Sequence, residues 1–304
     1  MNNMILLALS MTLMYSAPLI FAAMGGVVTM RAGVDNIGIE GMMTIGAFTA
    51  ASVGYFTGNP WLGLFCGGLA GMFLALLHGI VSITLKGNQI ISGIAINFIG
   101  PGASIFLTRL LFDGATQTTI VPKKIPKILN TLGFNSTLVR SIDIDFTILM
   151  AFLLIIIVWY ALYYTKPGLR IRACGEHPAA ADTVGVNVEL IRYVCILISG
   201  FLAGVGGGAY TVAIISTFTP TVISGQGFIA LAAVIFGNWK PVGAALGCLL
   251  FGFAQALMII LAGTFVPSQI LAMLPYALTL LVLIFVKKSD PPKANGQPYF
   301  KGQA

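Results

Sequence analysis

Charge is what this chain lacks. Only 8% of its 304 residues are Asp, Glu, Lys or Arg, while 58% are hydrophobic and the mean hydropathy is +0.96. A soluble domain carries about a quarter of its residues as charges. A surface so poor in charge excludes a water-soluble globular fold and makes the bilayer the natural solvent. The few charges are also segregated: none falls in 1–30, 41–85, 87–108, 146–165, 193–239 or 241–286. Each window can cross about 30 Å of hydrocarbon as a helix, and the short alternating segments of a membrane β-barrel are missing.

Other absences narrow the chemistry. The opening stretch "MNNMILLALSMTLMYSAPLIFAAM" has no basic n-region and reads as a retained span rather than a cleaved signal. The four cysteines, Cys66, Cys174, Cys195 and Cys248, show no CxxC spacing and read as small buried hydrophobes. Two histidines, His78 and His177, cannot build a His-rich metal site. No GxxxxGK[ST] phosphate loop occurs, so the chain is not expected to hydrolyse ATP by itself, and the glycines of "GVDNIGIEG" lack the strand–helix context of a dinucleotide fingerprint. No catalytic set, cofactor or metal is expected. The net charge of +7 gathers at segment ends, where membrane orientation accounts for it without nucleic acid. His78 has no carboxylate on its segment and reads as a hydrogen-bonded histidine rather than a proton relay.

What is present is an all-α polytopic membrane protein. About nine transmembrane or partial segments can be drawn, near 5–30, 37–55, 61–84, 90–111, 146–165, 192–216, 220–236, 241–262 and 270–286. Segments 37–55 and 220–236 are short and rich in Gly, Ser and Thr, which suggests broken or tilted elements. Gly58-Asn59-Pro60 and Gly237-Asn238 mark tight turns. With the N-terminus out and the C-terminus in, Arg31, Lys86, Lys166, Arg170, Arg172, Arg192, Lys240, Lys287, Lys288, Lys293 and Lys301 are cytoplasmic. Arg109, Lys123, Lys124, Lys127 and Arg140 are then external, 11 basic residues against 5, and the positive-inside rule favours this orientation.

A shift of 180 residues aligns Gly63 with Gly243, Gly67 with Gly247, Leu69 with Leu249, Phe73 with Phe253 and Leu77 with Leu257. The two segments run in opposite senses under this topology, so the repeat is expected to be inverted. The layout is one transmembrane domain over 1–286: a first repeat near 5–111, a linking helix near 146–165, a cytoplasmic loop near 166–191, a second repeat near 192–286, and a cytoplasmic tail over 287–304. Small residues in "LFCGGLAG", "SGFLAGVGGGAY" and "VGAALGCLLFG" predict close helix packing.

The stretch "GEHPAAADTVGVNV" at 175–188 is out of place in such a chain. Pro178 suits a first helical turn and Gly185 the left-handed position that ends a helix. About two turns of helix are marginal alone in water, so this one must dock on something, either its own bundle or another protein.

The pattern "GLRIRACGEHPAAADTVGVNVELIRYVCILISGFLAGVGGG" strongly resembles the long cytoplasmic loop of ABC importer permeases of the branched-chain amino acid and simple-sugar class. "RAGVDNIGIEGMMTIGAFTAA" (31–51) and "TPTVISGQGFIALAAVIFGNWKPVGAALG" (219–247) resemble the family's other signatures, and "GIEGMM" is closest to the nucleoside branch. The resemblance implies a permease subunit, not an enzyme, in a prokaryotic cytoplasmic membrane. It implies a coupling helix seated in a separate ABC ATPase subunit, with Glu176, His177, Ala180, Asp182 and Gly185 as contacts. It also implies an extracytoplasmic substrate-binding lipoprotein and a second permease subunit, a heterodimer being favoured over a homodimer. Relatives often carry one more N-terminal span than this chain.

Polar groups within apolar spans are the candidates for the substrate pathway: Asn36, Glu40, Asn97 and Gln226, with Phe228 beside the last. Buried amides are paired with neighbouring helices or face a cavity. An uncharged lining suits a neutral solute such as a nucleoside; simple sugars and branched-chain amino acids are the alternatives. An ATP-independent secondary carrier is the rival of another class.

Overall fold

The structure is a computed structural model that describes residues 2–128, 145–262, 270–271, 273–285 and 290–301. Arg140, Lys287 and Lys288, which carry part of the charge asymmetry, lie outside the described residues, as do residues 129–144 of the loop 113–145.

Among the described residues the regular structure is helical, apart from an isolated bridge between Lys127 and Asp145. The elements are α1 (Asn2–Arg31), α2 (Ile39–Thr57), α3 (Pro60–Gly79), α4 (Gln89–Leu111), α5 (Phe146–Tyr164) and α6 (Lys166–Glu176). There follow α7 (Pro178–Thr183), α8 (Val188–Ala209), α9 (Gln226–Phe236), α10 (Pro241–Leu261) and α11 (Leu274–Phe285). π-helical turns, Ile80–Thr84 and Tyr210–Ile215, extend α3 and α8.

The boundaries follow local chemistry. Asn59 and Asn88 cap α3 and α4, their Oδ1 atoms accepting from Trp61 N–H at 3.0 Å and Ile90 N–H at 2.9 Å. Thr165 and Asn187 do the same for α6 and α8. Gly58 ends α2 in the left-handed region at φ 65. The α9–α10 turn places two non-glycine residues, Asn238 and Trp239, at φ 52 and 53. That strain is held in place: Trp239 N–H donates to Val234 O at 3.0 Å, and Arg31 Nε donates to Trp239 O at 2.8 Å.

Among the described residues, six helices are long and apolar enough to cross a membrane: Ile5–Arg31, Pro60–Thr84, Gln89–Leu111, Phe146–Tyr164, Val188–Ile215 and Pro241–Leu261. The two short segments behave differently. α2 is a continuous 19-residue helix, not a broken one, and most of it is buried. In segment 220–236 only Gln226–Phe236 is helical; turns occupy the residues before it.

α8 lies at the centre, packed along α3, α1 and α2; α10 packs on α1 and α9, α4 on α2, and α5 on α1. Missing side chains allow this. A Cβ on Gly204 of α8 would stand 2.2 Å from Gly67 O of α3, and one on Gly100 of α4 would stand 2.2 Å from Gly41 O of α2. Backbones this close gain dispersion contacts that lipid cannot supply between larger residues. The outward faces of α3, α4, α5 and α10 carry exposed apolar side chains such as Phe73, Phe98, Ile156 and Leu246, as a lipid-facing surface requires.

Candidate functional site

Two groups of residues concentrate polar chemistry. The first is the α6–α7 loop. Pro178 occupies the first turn of α7, and Gly185 follows it at φ 82, its N–H donating to Asp182 O at 2.9 Å. Val186 N–H closes the loop onto Ala181 O at 3.0 Å. One face of α7 is anchored: Ala181 is buried with Cys174 and Val188, and Tyr299 packs on the same cluster. The opposite face is free. His177, Ala180, Thr183 and Gly185 are exposed, Glu176 and Asp182 half-buried. Val184, at the tip, is 77% exposed. Burial pushes the Cys174 thiol up to about 11, with Arg192 pulling the other way, so it is a packed group and not a nucleophile. Partial burial and the neighbouring Asp182 carboxylate push the Tyr299 phenol upward.

The second group surrounds the first turn of α2. Glu40 accepts the N–H of Gly225 at 2.7 Å on Oε1 and that of Gly227 at 2.6 Å on Oε2. It therefore serves as the N-terminal cap of α9, which has no side-chain cap of its own. Asn97 of α4 clasps the same turn from the other side: Gly41 N–H donates to its Oδ1 at 2.9 Å, and its Nδ2 donates to Ile37 O at 3.0 Å. Asn36 Nδ2 donates to Ser199 Oγ of α8 at 3.0 Å, while its Oδ1 is buried without a hydrogen-bond partner. Gln226 Oε1 accepts from Tyr210 Oη at 3.0 Å and also from Gln255 Nε2. Phe228 is 49% exposed.

Of the five pathway candidates, the structure brings Asn36, Glu40 and Asn97 together on one turn. Gln226 and Phe228 join them through α9. Glu40, Asn97 and Gln226 spend their hydrogen bonds on other helices; Asn36 keeps a free acceptor and Phe228 an open face. Sequence reasoning missed Ser199, Tyr210 and Gln255, partners that lie far off in sequence on helices showing no local polar pattern. It also missed Val184, whose signal was legible: an apolar residue just before the glycine that ends a short polar helix. His78 is buried, its Nδ1 2.9 Å from Ser92 Oγ and its Nε2 3.2 Å from Asp35 O, so both ring nitrogens are engaged.

No group of three or more His, Cys, Asp or Glu among the described residues could hold a metal ion. A surface hollow of about 670 Å³ lies between α5 and α10 at Trp159, Tyr163, Lys240 and Val242, away from both groups.

Comparison with known proteins gives these groups a context. A family model described as branched-chain amino acid transport system / permease component matches residues 8–286. The guanosine ABC transporter permease protein NupQ of Bacillus subtilis is 44% identical over 96% of each chain. The nucleoside ABC transporter permease protein NupC of Lactococcus lactis is 40% identical, again over 96% of each chain. The putative glucose ABC transporter permease protein TsgC13 of Haloferax volcanii is 34% identical over 91% of this chain and 90% of its own.

Proposed function

The chain belongs to the permease-component family of branched-chain amino acid transport systems, and on that premise we propose that it is the membrane subunit of an ATP-driven importer of nucleosides. The multi-pass helical body agrees with a permease. The substrate class rests on the two relatives named for guanosine and nucleosides, which match nearly end to end. A simple sugar is the second reading, favoured by the relative named for glucose.

The observation that carries the coupling is α7: a short helix anchored through Ala181 with its other face and Val184 open to a partner. An ABC ATPase subunit grips Glu176, His177, Ala180, Asp182 and Gly185, and nucleotide-driven closure moves α7. The motion biases a two-state rearrangement of the bundle. The pathway passes Asn36, Glu40, Asn97, Gln226 and Phe228, where the half-exposed Phe228 ring is the group open to a neutral solute and Asn36 Oδ1 is a buried, unpaired acceptor. A second permease subunit, most simply a different chain, and an extracytoplasmic binding lipoprotein complete the importer in a prokaryotic cytoplasmic membrane.

The orientation is N-terminus out and C-terminus in. Supporting it, Arg31, Lys86, Arg192 and the turn at Asn238 all bond or pack at the end of the bundle that carries α7. Lys124 donates to Ile214 O at the other end of α8, at 2.9 Å. The inverted repeat is supported by reciprocal packing: the first helix of each half, α1 or α8, packs on the third helix of the other half, α10 or α3.

The experiment is uptake of radiolabelled nucleosides, sugars and branched-chain amino acids by cells with and without the partner ATPase. Nucleoside uptake that disappears with the ATPase supports the proposal. Nucleoside uptake that persists without it makes the protein a secondary carrier.

A further inference from the structure

Residues 290–301, which follow α11, stay against the protein as a strap. Asp290 N–H donates to Asn238 Oδ1 at 2.9 Å in the α9–α10 turn. Ala294 N–H donates to Gly175 O at 2.8 Å, in the last turn of α6. Arg192, almost fully buried, bridges Ala32 O at 3.3 Å and Gln297 O at 3.0 Å. Lys86 stands 4.6 Å from the Phe300 ring centroid. The strap is thus pinned to four elements from both halves, and the pinning delivers its end beside α7. There a cavity of about 480 Å³ has His177, Pro178 and Ala180 on one wall and Pro298, Tyr299 and Phe300 on the other.

From this we infer that residues 298–301 are the second half of the docking surface for the nucleotide-hydrolysing subunit, whose side chain enters the cavity between the strap and α7. Size is the first argument. A stable interface covers about 800 Å² on each partner, some 20–30 residues. α7 has six residues, one of which, Ala181, is turned into the protein. A partner broad enough to hold the molecule must spread beyond α7, and the strap is the surface contiguous with its outer face. Composition is the second argument. Phe300 keeps 42% of its surface exposed, and Pro298 and Lys301 are exposed with it. Aromatic residues left open at a concave site are the usual anchors of interface cores. The strap also touches the α1–α2, α3–α4 and α9–α10 connections, so a load on it reaches both halves directly.

The inference rests on the coupling role of α7, and the test separates the two. A photoreactive benzophenone amino acid is placed at position 184 in one version of the assembled importer and at position 300 in another, and both are irradiated in native membranes. Adducts of both positions with the ATPase subunit are expected. Adducts from 184 without any from 300, or with lipid alone at 300, overturn the composite surface and leave the coupling role standing. Absence of ATPase adducts at both positions overturns both. As a second measurement, the double variant Tyr299→Ala with Phe300→Ala should bind the ATPase about tenfold more weakly at unchanged membrane level. Unchanged binding overturns the inference.

Discussion

The carboxylate of Glu40, the second residue of α2, accepts the backbone N–H of Gly227, in the first turn of α9, at 2.6 Å. The two residues belong to opposite halves of the chain, and the bond joins the N-terminal ends of two helices. Those ends carry partial positive charge, so an anion between them is favoured twice over. α9 spans 11 residues, roughly 16 Å, which puts this joint well inside the bilayer if α9 runs to the surface turn at Asn238. Gly227 is required by the approach: a Cβ there would lie 2.5 Å from Glu40 Cα.

Glu40→Ala should therefore cost about 1–3 kcal/mol for each N–H left without an acceptor. Thermal unfolding in detergent reads it as a lowered Tm. Glu40→Gln, which keeps one acceptor and loses the charge, should fall between. Equal melting of all three proteins would mean that the clasp contributes nothing.

Gly204 and Gly102 make a matched pair. Gly204→Ala puts a methyl 2.2 Å from Gly67 O at the α8–α3 crossing and should lower the yield of folded protein sharply. Gly102→Ala, with nothing within 4 Å of the new carbon, should be neutral to within about 0.5 kcal/mol. Size-exclusion chromatography and melting of the two variants give the comparison.

Cys174 is sealed by Ala181, Val188 and Tyr299, and its thiol is held protonated by burial. Thiolate is the form that maleimides attack, so labelling at pH 8 should be slow at this position. Tyr299→Ala opens the seal and should raise the labelling rate of Cys174. An unchanged rate would place the strap elsewhere.

How much of this was legible beforehand depended on how local each signal was. Asn59-Pro60, Gly237-Asn238 and Gly185 announced their turns because a cap or a left-handed residue acts within a few positions. The apolar windows announced the spanning helices because hydrocarbon imposes a length. α2 was harder: its glycines and hydroxyls suggested a broken or tilted element, yet the glycines serve close approach, Gly41 to α4 and Gly46 to α8, and the helix runs through without a break. The polar joint was half legible. Asn36, Glu40, Asn97 and Gln226 stood out against apolar surroundings, but their partners Ser199, Gly225 and Gln255 lie up to 185 positions away, and only the fold brings them together. The strap gave no signal, since in three of its four fastenings its own contribution is a backbone N–H or C=O, to which its residue types are nearly silent.

Phe228 offers a way to tell pathway from scaffold. Its ring is half exposed, so Phe228→Ala should leave melting almost unchanged. If the ring lines the passage, the same variant should slow nucleoside uptake at a given amount of binding protein. Gln226→Ala, which strips partners from Tyr210 and Gln255, should lower both stability and uptake.

The most direct measurement is made on the complete importer in proteoliposomes, with Ala180→Trp on the exposed face of α7. The variant should assemble in the membrane at the normal level, and ATP-dependent nucleoside uptake should fall to background, because the bulky ring keeps α7 out of the ATPase groove. Uptake at the unmodified rate, still dependent on ATP, would contradict the role given to α7.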